Sequence, residues 1–436
     1  MEVFVLKGPI LAQFTAPGRR SASPVSRSSA PCAAGSRINH VKIRSWQQVL
    51  SQGYSPIATL TLIASAITLA ALAYLVYALR CVIAFGGRQP KQSGYCPAAT
   101  LLKPVCGMEP ELYENLRSFC DQDYPDYQVV FGVRDAQDPA IAVIERIIKE
   151  FFQRDLSLIV DETVIGANLK VSILASMYRA AKHDLLVIAD SDMRVERHYL
   201  RAVAAPFEDP QVGALTCLYK GTAAAGLPSR LGAMFINDCF APSVLVALSF
   251  QELRFCFGAT MAVTRKALEA SGGFPALADQ LADDHMLGKH VTQQGLKVIL
   301  PAYVVENRVW EPNFRALFQH ELRWARTIRA MQPAGYAFSF ITYPVAVSLL
   351  FLLLAPAAAG LTAVAVSVIL RVLLHRAVYA SFRIREPATP WLAPVRDVLS
   401  FLIWAASFFG RSVEWRKQQF SVRSDGQLMN KGVRNP

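Results

Sequence analysis

The protein has 436 residues, of which 53% are hydrophobic and only 18% are charged. This composition excludes a disordered chain and is too poor in charge for an ordinary soluble enzyme, so a membrane protein is expected. The formal net charge of +12 suits contact with anionic lipid headgroups or phosphates. The chain has no separate basic patch studded with aromatic residues, so we expect no nucleic-acid partner.

The first two regions of the chain have opposite character. Residues 1–45 are rich in Ser, Ala and Arg and nearly free of acid, so we expect a disordered basic extension. Residues 57–79 are an almost unbroken apolar run, which at about 1.5 Å per helical residue spans the ~30 Å hydrocarbon core. This run predicts a transmembrane helix, and its orientation stays open because basic residues flank both ends.

The middle of the chain, residues 88–332, alternates short apolar runs with helical periodicity. One such helix is expected over residues 111–120, with Pro110 at a first-turn position. The strand-like runs are residues 100–102, 128–133, 156–160 and 185–189. This alternation predicts an α/β domain with a doubly wound, mostly parallel sheet, in which ligands bind beyond the carboxyl ends of the strands.

An Asp-x-Asp sequence follows the last of these strands. It would place Asp190 and Asp192 on one turn at the open edge of the sheet. Hard divalent cations that bridge phosphates take carboxylate oxygens in this arrangement. The alternative is a helix cap or a solvated loop.

Two further acidic sites lie at the ends of predicted elements. Asp283 and Asp284 begin a helical pattern, where a carboxylate in a cleft could act as a general base or could simply favour the helix dipole. Asp135 ends another strand, where it could accept a hydrogen bond from a base imide or serve as a turn residue.

An amphipathic helix is predicted over residues 313–330 and contains the sequence His-Glu-Leu-Arg-Trp from His320. Its Arg323 could pair with a diphosphate, and its Trp324 could stack on a sugar or a lipid polyol. The alternative is an interfacial helix whose cations meet lipid headgroups.

A transmembrane helical hairpin is predicted over residues 338–376. The stretch is uncharged as far as Leu370 and suffices for two helices of about 17 to 20 residues, with a break near Pro356 and Gly360. The basic loop that follows, and the basic tail over residues 411–436, are typical of the cytoplasmic side.

Two other apolar segments contain polar residues. Residues 391–410 hold Arg396 and Asp397, and each charge at a bilayer centre costs about 3 kcal/mol on insertion scales. This segment therefore either enters the membrane or lies in its interface. Residues 231–250 are interrupted by an Asn-Asp pair, and they either dock on the bilayer or form an ordinary buried helix.

Several common catalytic classes lack sequence support. The chain has no P-loop, no GxGxxG, no HExxH and no GxSxG, and its seven His form no ligand pattern. Its eight cysteines show no CxxC pair and are expected to be reduced thiols.

The motifs together, in their order and spacing, resemble the membrane-bound, nucleotide-sugar-dependent glycosyltransferases of the ceramide glucosyltransferase family. The motifs are Lys103-Pro104, Asp135, Asp190-Ser191-Asp192, Asp283-Asp284 and His320-x-x-Arg323-Trp324. The resemblance covers about residues 57–420 and looks closest to the bacterial hopanoid-biosynthesis branch. It implies a GT-A fold, Rossmann-like, with one N-terminal and two to three C-terminal membrane helices.

The resemblance implies a donor site for a UDP-sugar. Asp135 would contact the uracil end, and Asp190 and Asp192 would hold Mg²⁺ or Mn²⁺ on the diphosphate. Lys103 and Lys170 would belong to the same donor site.

The resemblance also implies an acceptor side of the site. Asp284 would be the catalytic base, while Arg323 and Trp324 would close the site around the diphosphate and the acceptor. The chain departs from the family at His320, where Gln or Arg is usual, and at Ile173, where a second Asn is usual.

The preferred hypothesis is transfer of N-acetylglucosamine to a polyol lipid such as bacteriohopanetetrol, in a bacterial inner membrane with the catalytic domain in the cytoplasm. A close alternative is transfer of glucose to ceramide. A processive polysaccharide synthase would need a larger helix bundle. A non-catalytic membrane scaffold or transport component is the alternative from a different class.

Overall fold

A computed structural model describes residues 56–91, 93–410, 412–415, 418–422 and 428–430. The basic extension expected over residues 1–45 lies outside the described residues, and so does most of the tail over residues 411–436. The strands before residue 410 are β1 (Ala99–Pro104), β2 (Tyr127–Val133), β3 (Asp155–Val160), β4 (Leu185–Ala189), β5 (Met193–Arg194), β6 (Val212–Thr216), β7 (Leu218–Ala223), β8 (Thr260–Thr264), β9 (Lys297–Ile299) and β10 (Val304–Val309).

The helices connect these strands and then continue beyond them. In chain order they are α1 (Pro56–Gly86), α2 (Leu112–Cys120), α3 (Ala140–Glu150), α4 (Leu169–Ala180), α5 (Tyr199–Ala204), α6 (Gly226–Met234), α7 (Ala241–Leu248), α8 (Arg265–Ala270), α9 (Asp283–Gln293), α10 (Phe314–Met331), α11 (Pro333–Phe338), α12 (Pro344–Leu352), α13 (Ala357–Ser381) and α14 (Ala393–Ser407). A π-helical segment, Phe235–Phe240, joins α6 to α7.

The main sheet has seven strands in the order β3-β2-β1-β4-β8-β6-β9. The first four run parallel, β8 is antiparallel to both β4 and β6, and β9 is parallel to β6. Every residue of β2 and β4 is buried, as expected for parallel strands covered on both faces. The prediction of a mostly parallel sheet is confirmed. A second sheet, in the order β5-β10-β7, lies beside the end of β4.

The helix expected over residues 111–120 begins one residue later, and Pro110 lies outside it. Glu111 is the residue before the helix and has a φ of 61°, in the left-handed region. Its carboxylate accepts hydrogen bonds from Arg194 at 2.6 Å and from Arg308 at 2.7 Å. These two ion pairs hold Glu111 in a conformation that a continuing helix would not allow.

The core on one face of the sheet is continuous with two apolar helices. Residues of α1, including Leu75 and Val82, and residues of α13, including Leu374 and Val378, belong to the same buried cluster as the sheet residues. The helices are therefore packed directly on the α/β domain and are not joined to it by a linker alone.

Three helices of the described chain are long and apolar enough to cross a membrane: α1, α13 and the continuous stretch Gly226–Leu248. The third differs from the others because 78% of its most apolar part is buried inside the protein, against 22% for α1 and 28% for α13. For the segment expected over residues 231–250, the structure therefore favours the buried helix over the one that docks on the bilayer.

The hairpin expected over residues 338–376 differs in its first half. Pro333–Thr342 and Pro344–Leu352 meet at a bend of 73°, and no single helix of about 17 to 20 residues forms there. Pro344 cannot donate a backbone hydrogen bond, so a new helix starts at this residue. The second half is longer than expected, because α13 continues to Ser381.

Helix α14 has its charges inside and its apolar residues outside. Arg396 and Asp397 are both fully buried. Arg396 pairs with Glu321 on α10, and Asp397 pairs with Arg371 on α13. Between residues 391 and 409 the exposed residues are all apolar: Trp391, Val395, Leu402, Phe408 and Phe409. This pattern is the reverse of a helix in water, so we expect the outer face of α14 to lie against lipid.

Beyond residue 410 the described backbone forms a small antiparallel sheet. Its strands are β11 (Ser412–Trp415), β12 (Gln418–Val422) and β13 (Leu428–Asn430).

Candidate active site

Asp190 lies directly after β4, at the edge where the parallel strands end. Its Oδ1 atom is 2.5 Å from Nζ of Lys170, in the first turn of α4. Asn168 caps α4 by accepting the backbone N–H groups of Lys170 and Val171, and this fixes the start of the helix. The sequence Asn-x-Lys-Val thus serves to place one cation beside Asp190.

Lys103 lies beneath this site and not in it. Its side chain is fully buried, and Nζ donates a hydrogen bond of 2.5 Å to the backbone oxygen of Asp190. The same ammonium lies 3.7 Å from the ring centre of Phe119. Burial lowers the pKa of Lys103 to about 7, against the opposing effect of the nearby carboxylates. Any effect of Lys103 on a donor therefore passes through Asp190.

Asp192 is held by the strand β10. Its Oδ2 accepts a hydrogen bond of 2.8 Å from Nδ2 of Asn307, and its backbone oxygen accepts one of 2.9 Å from the backbone N–H of Arg308. Its Oδ1 atom is buried and has no hydrogen-bond partner among the residues that the structure describes. Burial, with the charges of Asp190 and Glu109, raises the pKa of Asp192 to about 7.

The second acidic pair begins α9 and faces the first pair across Gly258. Oδ1 of Asp284 accepts the backbone N–H of His285 at 2.8 Å, and Asp283 accepts a hydrogen bond of 3.2 Å from Asn168. A Cβ atom at Gly258 would lie 3.2 Å from Oδ2 of Asp284 and 3.7 Å from Oδ2 of Asp190. The absence of a side chain at this glycine therefore leaves open the space that the two carboxylates share.

Asp284 is poised to change its charge near neutral pH. Burial and the neighbouring charge of Asp283 raise the pKa of Asp284 to about 6. Burial also raises the pKa of Asp283, with Lys170 acting in the opposite direction. The helix dipole favours the ionised form of both acids in the first turn of α9, so it does not explain why their pKa values are raised. A half-buried carboxylate with a raised pKa beside an open space suits a general base.

The residues around Asp192 fit a divalent cation in part. Within the described residues no three His, Cys, Asp or Glu side chains form a ligand set. The buried, unpartnered Oδ1 of Asp192 and the partly exposed carboxylate of Asp190 nevertheless supply the hard oxygen donors that Mg²⁺ and Mn²⁺ prefer. Two protein carboxylates suffice where a substrate diphosphate supplies further oxygens.

Asp135 is exposed and lies two residues beyond the end of β2. Its Oδ1 accepts the backbone N–H of Gln137 at 2.8 Å, which closes a turn. It lies at the same sheet edge as Asp190, but β1 separates their strands. Strand spacing places the two strands roughly 10 Å apart. The turn role is therefore visible in the structure, and a role in base recognition stays a prediction.

Helix α10 places His320, Arg323 and Trp324 next to the buried helical stretch. The Trp324 ring stacks on Phe235, with 5.9 Å between the ring centres, and also contacts His320 at 4.3 Å. Nδ1 of His320 lies 2.6 Å from Oε1 of the buried Glu311. The ring of His320 is thus bound to a protein carboxylate. Arg323 lies on α10 next to Trp324.

Three residues of the site were not expected from the sequence: Asn307, Gly258 and Tyr219. Asn307 follows the alternation of the strand Val304–Val309, in which Val305 and Val309 are buried, and this marks it as an inward-facing amide. The charges of Asp284, Asp192 and Asp190 add to burial in raising the pKa of Tyr219, so its hydroxyl lies within electrostatic reach of the acids. Gly258 carries no signal in a single sequence.

The chain is similar in sequence to curated ceramide glucosyltransferases. The chain is 24% identical over 238 residues to ceramide glucosyltransferase 1 of Caenorhabditis elegans, which covers 54% of this chain and 51% of that protein. It is 35% identical over 100 residues to the ceramide glucosyltransferase of Komagataella phaffii, which covers 22% of this chain and 20% of that protein. The chain thus spans about half the length, or less, of these curated relatives.

The structural comparison supports the fold. A mannosyltransferase from Pyrobaculum calidifontis, solved in complex with GDP-Man and Mn²⁺, superposes with a TM-score of 0.50 at 21% identity. The match covers 80% of this chain and 99% of that one. The expected GT-A-like architecture, with a mostly parallel sheet and apolar helices, is therefore confirmed.

The model of glycosyl transferase family 21 matches residues 63–428, a range that holds every candidate site residue described above. Because this match takes in most of the chain, the protein belongs to glycosyl transferase family 21.

Proposed function

We propose that the protein is a membrane-bound, inverting glycosyltransferase that moves a sugar from a UDP-sugar to a hydroxyl group of a membrane lipid. The observation that carries this proposal is the arrangement of Asp190 and Asp284 around Gly258, with the unpartnered Oδ1 of Asp192 close by. The pair Asp190 and Asp192 suits a cation-bound diphosphate, and the pair Asp283 and Asp284 suits a hydroxyl that must lose its proton.

In the proposed reaction Asp284 accepts the proton of the acceptor hydroxyl. The hydroxyl oxygen then forms a bond to the anomeric carbon, and the bond from that carbon to the diphosphate oxygen breaks, so UDP leaves with the electron pair. A single displacement inverts the anomeric carbon. A pKa of about 6 leaves Asp284 ionised at neutral pH, yet basic enough to take the proton in the transition state.

The charge that develops on UDP needs compensation. Lys170 lies beside Asp190 and supplies a fixed cation at the sheet edge. Arg323 supplies a second cation in the proposal, and Asp135 binds the uracil end. Mg²⁺ or Mn²⁺, held by Asp190 and Asp192, would act as a Lewis acid on the diphosphate oxygens.

The acceptor side is formed by α10 and the membrane helices. In the proposal Trp324 packs against the acceptor, and its contact with Phe235 places it beside the middle of the buried stretch Gly226–Leu248. Helices α1 and α13 are apolar over most of their surface and pack on the same core as the sheet. The acceptor hydroxyl therefore reaches the site while the lipid that carries it stays in the membrane. The catalytic domain faces the cytoplasm, where UDP-sugars are made, and the membrane is a bacterial inner membrane.

For the finer specificity we propose N-acetylglucosamine as the sugar and a hopanoid polyol such as bacteriohopanetetrol as the acceptor. This rests on the resemblance of the sequence to the hopanoid-biosynthesis branch. The second candidate, glucose transfer to ceramide, is favoured by the curated relatives, which are ceramide glucosyltransferases.

A product assay separates these candidates. Detergent-purified protein is mixed with Mn²⁺ or Mg²⁺, with UDP-N-acetylglucosamine or UDP-glucose, and with bacteriohopanetetrol or ceramide, and products are identified by mass spectrometry. We expect a new glycolipid in one combination, with no product for Asp284→Asn even though that variant still binds UDP. Asp155→Asn is the matched control, because Asp155 is partly exposed and pairs with Lys182 at the outer strand β3.

Two results contradict the proposal. Unchanged turnover in Asp284→Asn removes Asp284 as the base. Absence of UDP binding in the wild-type protein removes the enzymatic function and favours a membrane scaffold with a degenerate nucleotide site.

A further inference from the structure

Asp192 has one carboxylate oxygen that is bonded and one that is not. Oδ2 accepts a hydrogen bond of 2.8 Å from Nδ2 of Asn307, which is buried, while Asp192 as a whole is half-buried. Its Oδ1 atom is buried and has no hydrogen-bond partner in the part of the chain that the structure describes. A buried acceptor that is left unpaired destabilises a folded protein, so such an atom calls for an explanation.

The bonded side of Asp192 is anchored to a strand and not to a mobile loop. Asn307 lies on β10, where it pairs with Met193 of β5 in antiparallel register. The next residue, Arg308, donates its backbone N–H to the backbone oxygen of Asp192 at 2.9 Å. Main chain and side chain of Asp192 are thus both fixed by β10, and the direction of the free Oδ1 is fixed with them.

The charge of the anchoring residue matters as well. Asp190 and Glu109 already place negative charge near Asp192. An amide donates an N–H group without adding charge, whereas a lysine would compete with a cation and an acid would add to the repulsion. Asparagine is the side chain that orients the carboxylate while leaving its full charge for a ligand.

We propose that Asn307 is a positioning residue, which turns Asp192 so that its free Oδ1 points to the divalent cation on the donor diphosphate. This inference rests on the proposed function, in which Asp192 is a metal ligand. Removal of a residue that hydrogen-bonds to a metal ligand typically weakens metal binding 10- to 100-fold.

The test measures Mn²⁺ binding directly. The full-length protein in detergent is titrated with Mn²⁺ at saturating UDP, and free Mn²⁺ is followed by its electron paramagnetic resonance signal. We expect Asn307→Ala to weaken Mn²⁺ binding roughly 10- to 100-fold. Turnover of this variant should recover when Mn²⁺ is raised, because the reacting groups themselves are unchanged.

Two further variants separate positioning from a general loss of structure. Asn307→Leu has nearly the same size as Asn and keeps the strand packed if Asn307→Ala does not fold. Asn237→Ala is the control: Asn237 is a fully buried amide that bonds only the backbone of Gly221, the residue paired with Asn307 across β7 and β10. It should lower the unfolding temperature without changing the Mn²⁺ dissociation constant.

The outcomes are distinct. Equal Mn²⁺ affinity in the wild type and in a folded Asn307 variant overturns the positioning role while leaving the proposed function intact. A wild-type protein that binds UDP but no Mn²⁺ overturns the metal role of Asp192, and with it the role of Asn307.

Discussion

Both terminal nitrogens of Arg396 bond the two carboxylate oxygens of Glu321, at 2.8 and 2.7 Å, and neither side chain reaches solvent. Glu321 lies two residues before Arg323 on α10, and Arg396 lies on α14. The helix that carries Arg323 and Trp324 is therefore fixed to a helix whose exposed residues are apolar. A bidentate pair of this kind sets both the distance between α10 and α14 and the rotation of α10 about its axis.

Removing one partner of this pair should destabilise the protein strongly. We expect Arg396→Met to lower the free energy of unfolding by about 3 to 5 kcal/mol, because Glu321 is left buried and uncompensated. The double variant with Glu321→Met should recover most of this loss, because no buried charge remains. Denaturant unfolding in detergent micelles measures the free energy of unfolding of both variants. A double variant as unstable as the single one would show that the uncompensated charge of Glu321 is not the cause of the loss.

Gly258 should tolerate no side chain. In Gly258→Ala the new Cβ would lie 3.2 Å from Oδ2 of Asp284 and would narrow the gap to Asp190. We expect kcat to fall about 10-fold, because Asp284 must shift by a few tenths of an ångström and a misplacement near 1 Å costs about 100-fold, while UDP binding changes little. Gly94→Ala is the control, because no atom of the described residues lies within 4 Å of a Cβ there. Equal losses in the two variants would show that the open space is irrelevant.

Activity should depend on pH through Asp284. A base acts when ionised, and burial with the charge of Asp283 raises the pKa of Asp284 to about 6. The value of kcat/KM should therefore rise as the pH increases through about 6 and level off above it. Asp283→Asn removes the neighbouring charge, so the rising limb should move to lower pH. If the rising part of the pH profile of Asp283→Asn stays at the same pH or moves to higher pH, the two acids are not coupled as proposed.

The outer face of α14 should contact lipid chains. We expect nitroxide labels at Val395→Cys and Leu402→Cys, in protein reconstituted into bilayers, to be relaxed by oxygen and protected from a water-soluble nickel complex. Phe152→Cys is the matched control, since Phe152 is 76% exposed on the α/β domain and should show the opposite accessibility. Labels on α14 that respond like the control would place this helix in water.

Much of the fold follows from residue patterns. The runs expected at residues 128–133 and 185–189 match β2 and β4 closely, because strands buried on both faces read as continuous apolar segments. The start of α2 after Glu111 could not be predicted, since Glu111 has a left-handed conformation and pairs with Arg194 and Arg308, which are distant in the chain. The bend before Pro344 depends likewise on packing that no local pattern shows.

The residues of the candidate site also fall into those that local sequence patterns reveal and those that depend on the assembled fold. Asp190, Asp192 and Asp284 follow strands or begin a helix, positions at which parallel sheets collect ligands, so local patterns suffice to propose them. Asn307 and Gly258 act on these acids across the fold, and only the assembled strands bring them near. Ile173 illustrates the opposite case: the missing Asn is replaced by a residue buried against Gly132, where an apolar side chain fits.

The buried charges of α14 also bear on how the chain is assembled. Glu321 and Arg371 both precede Arg396 and Asp397, so the ribosome has made both counter-ions before α14 emerges. Before it meets them, a helix with an adjacent Arg and Asp would partition poorly from the translocon into lipid. We therefore expect α10 and α13 to be in place before α14 docks, and α14 then fixes the position of α10 beside the site.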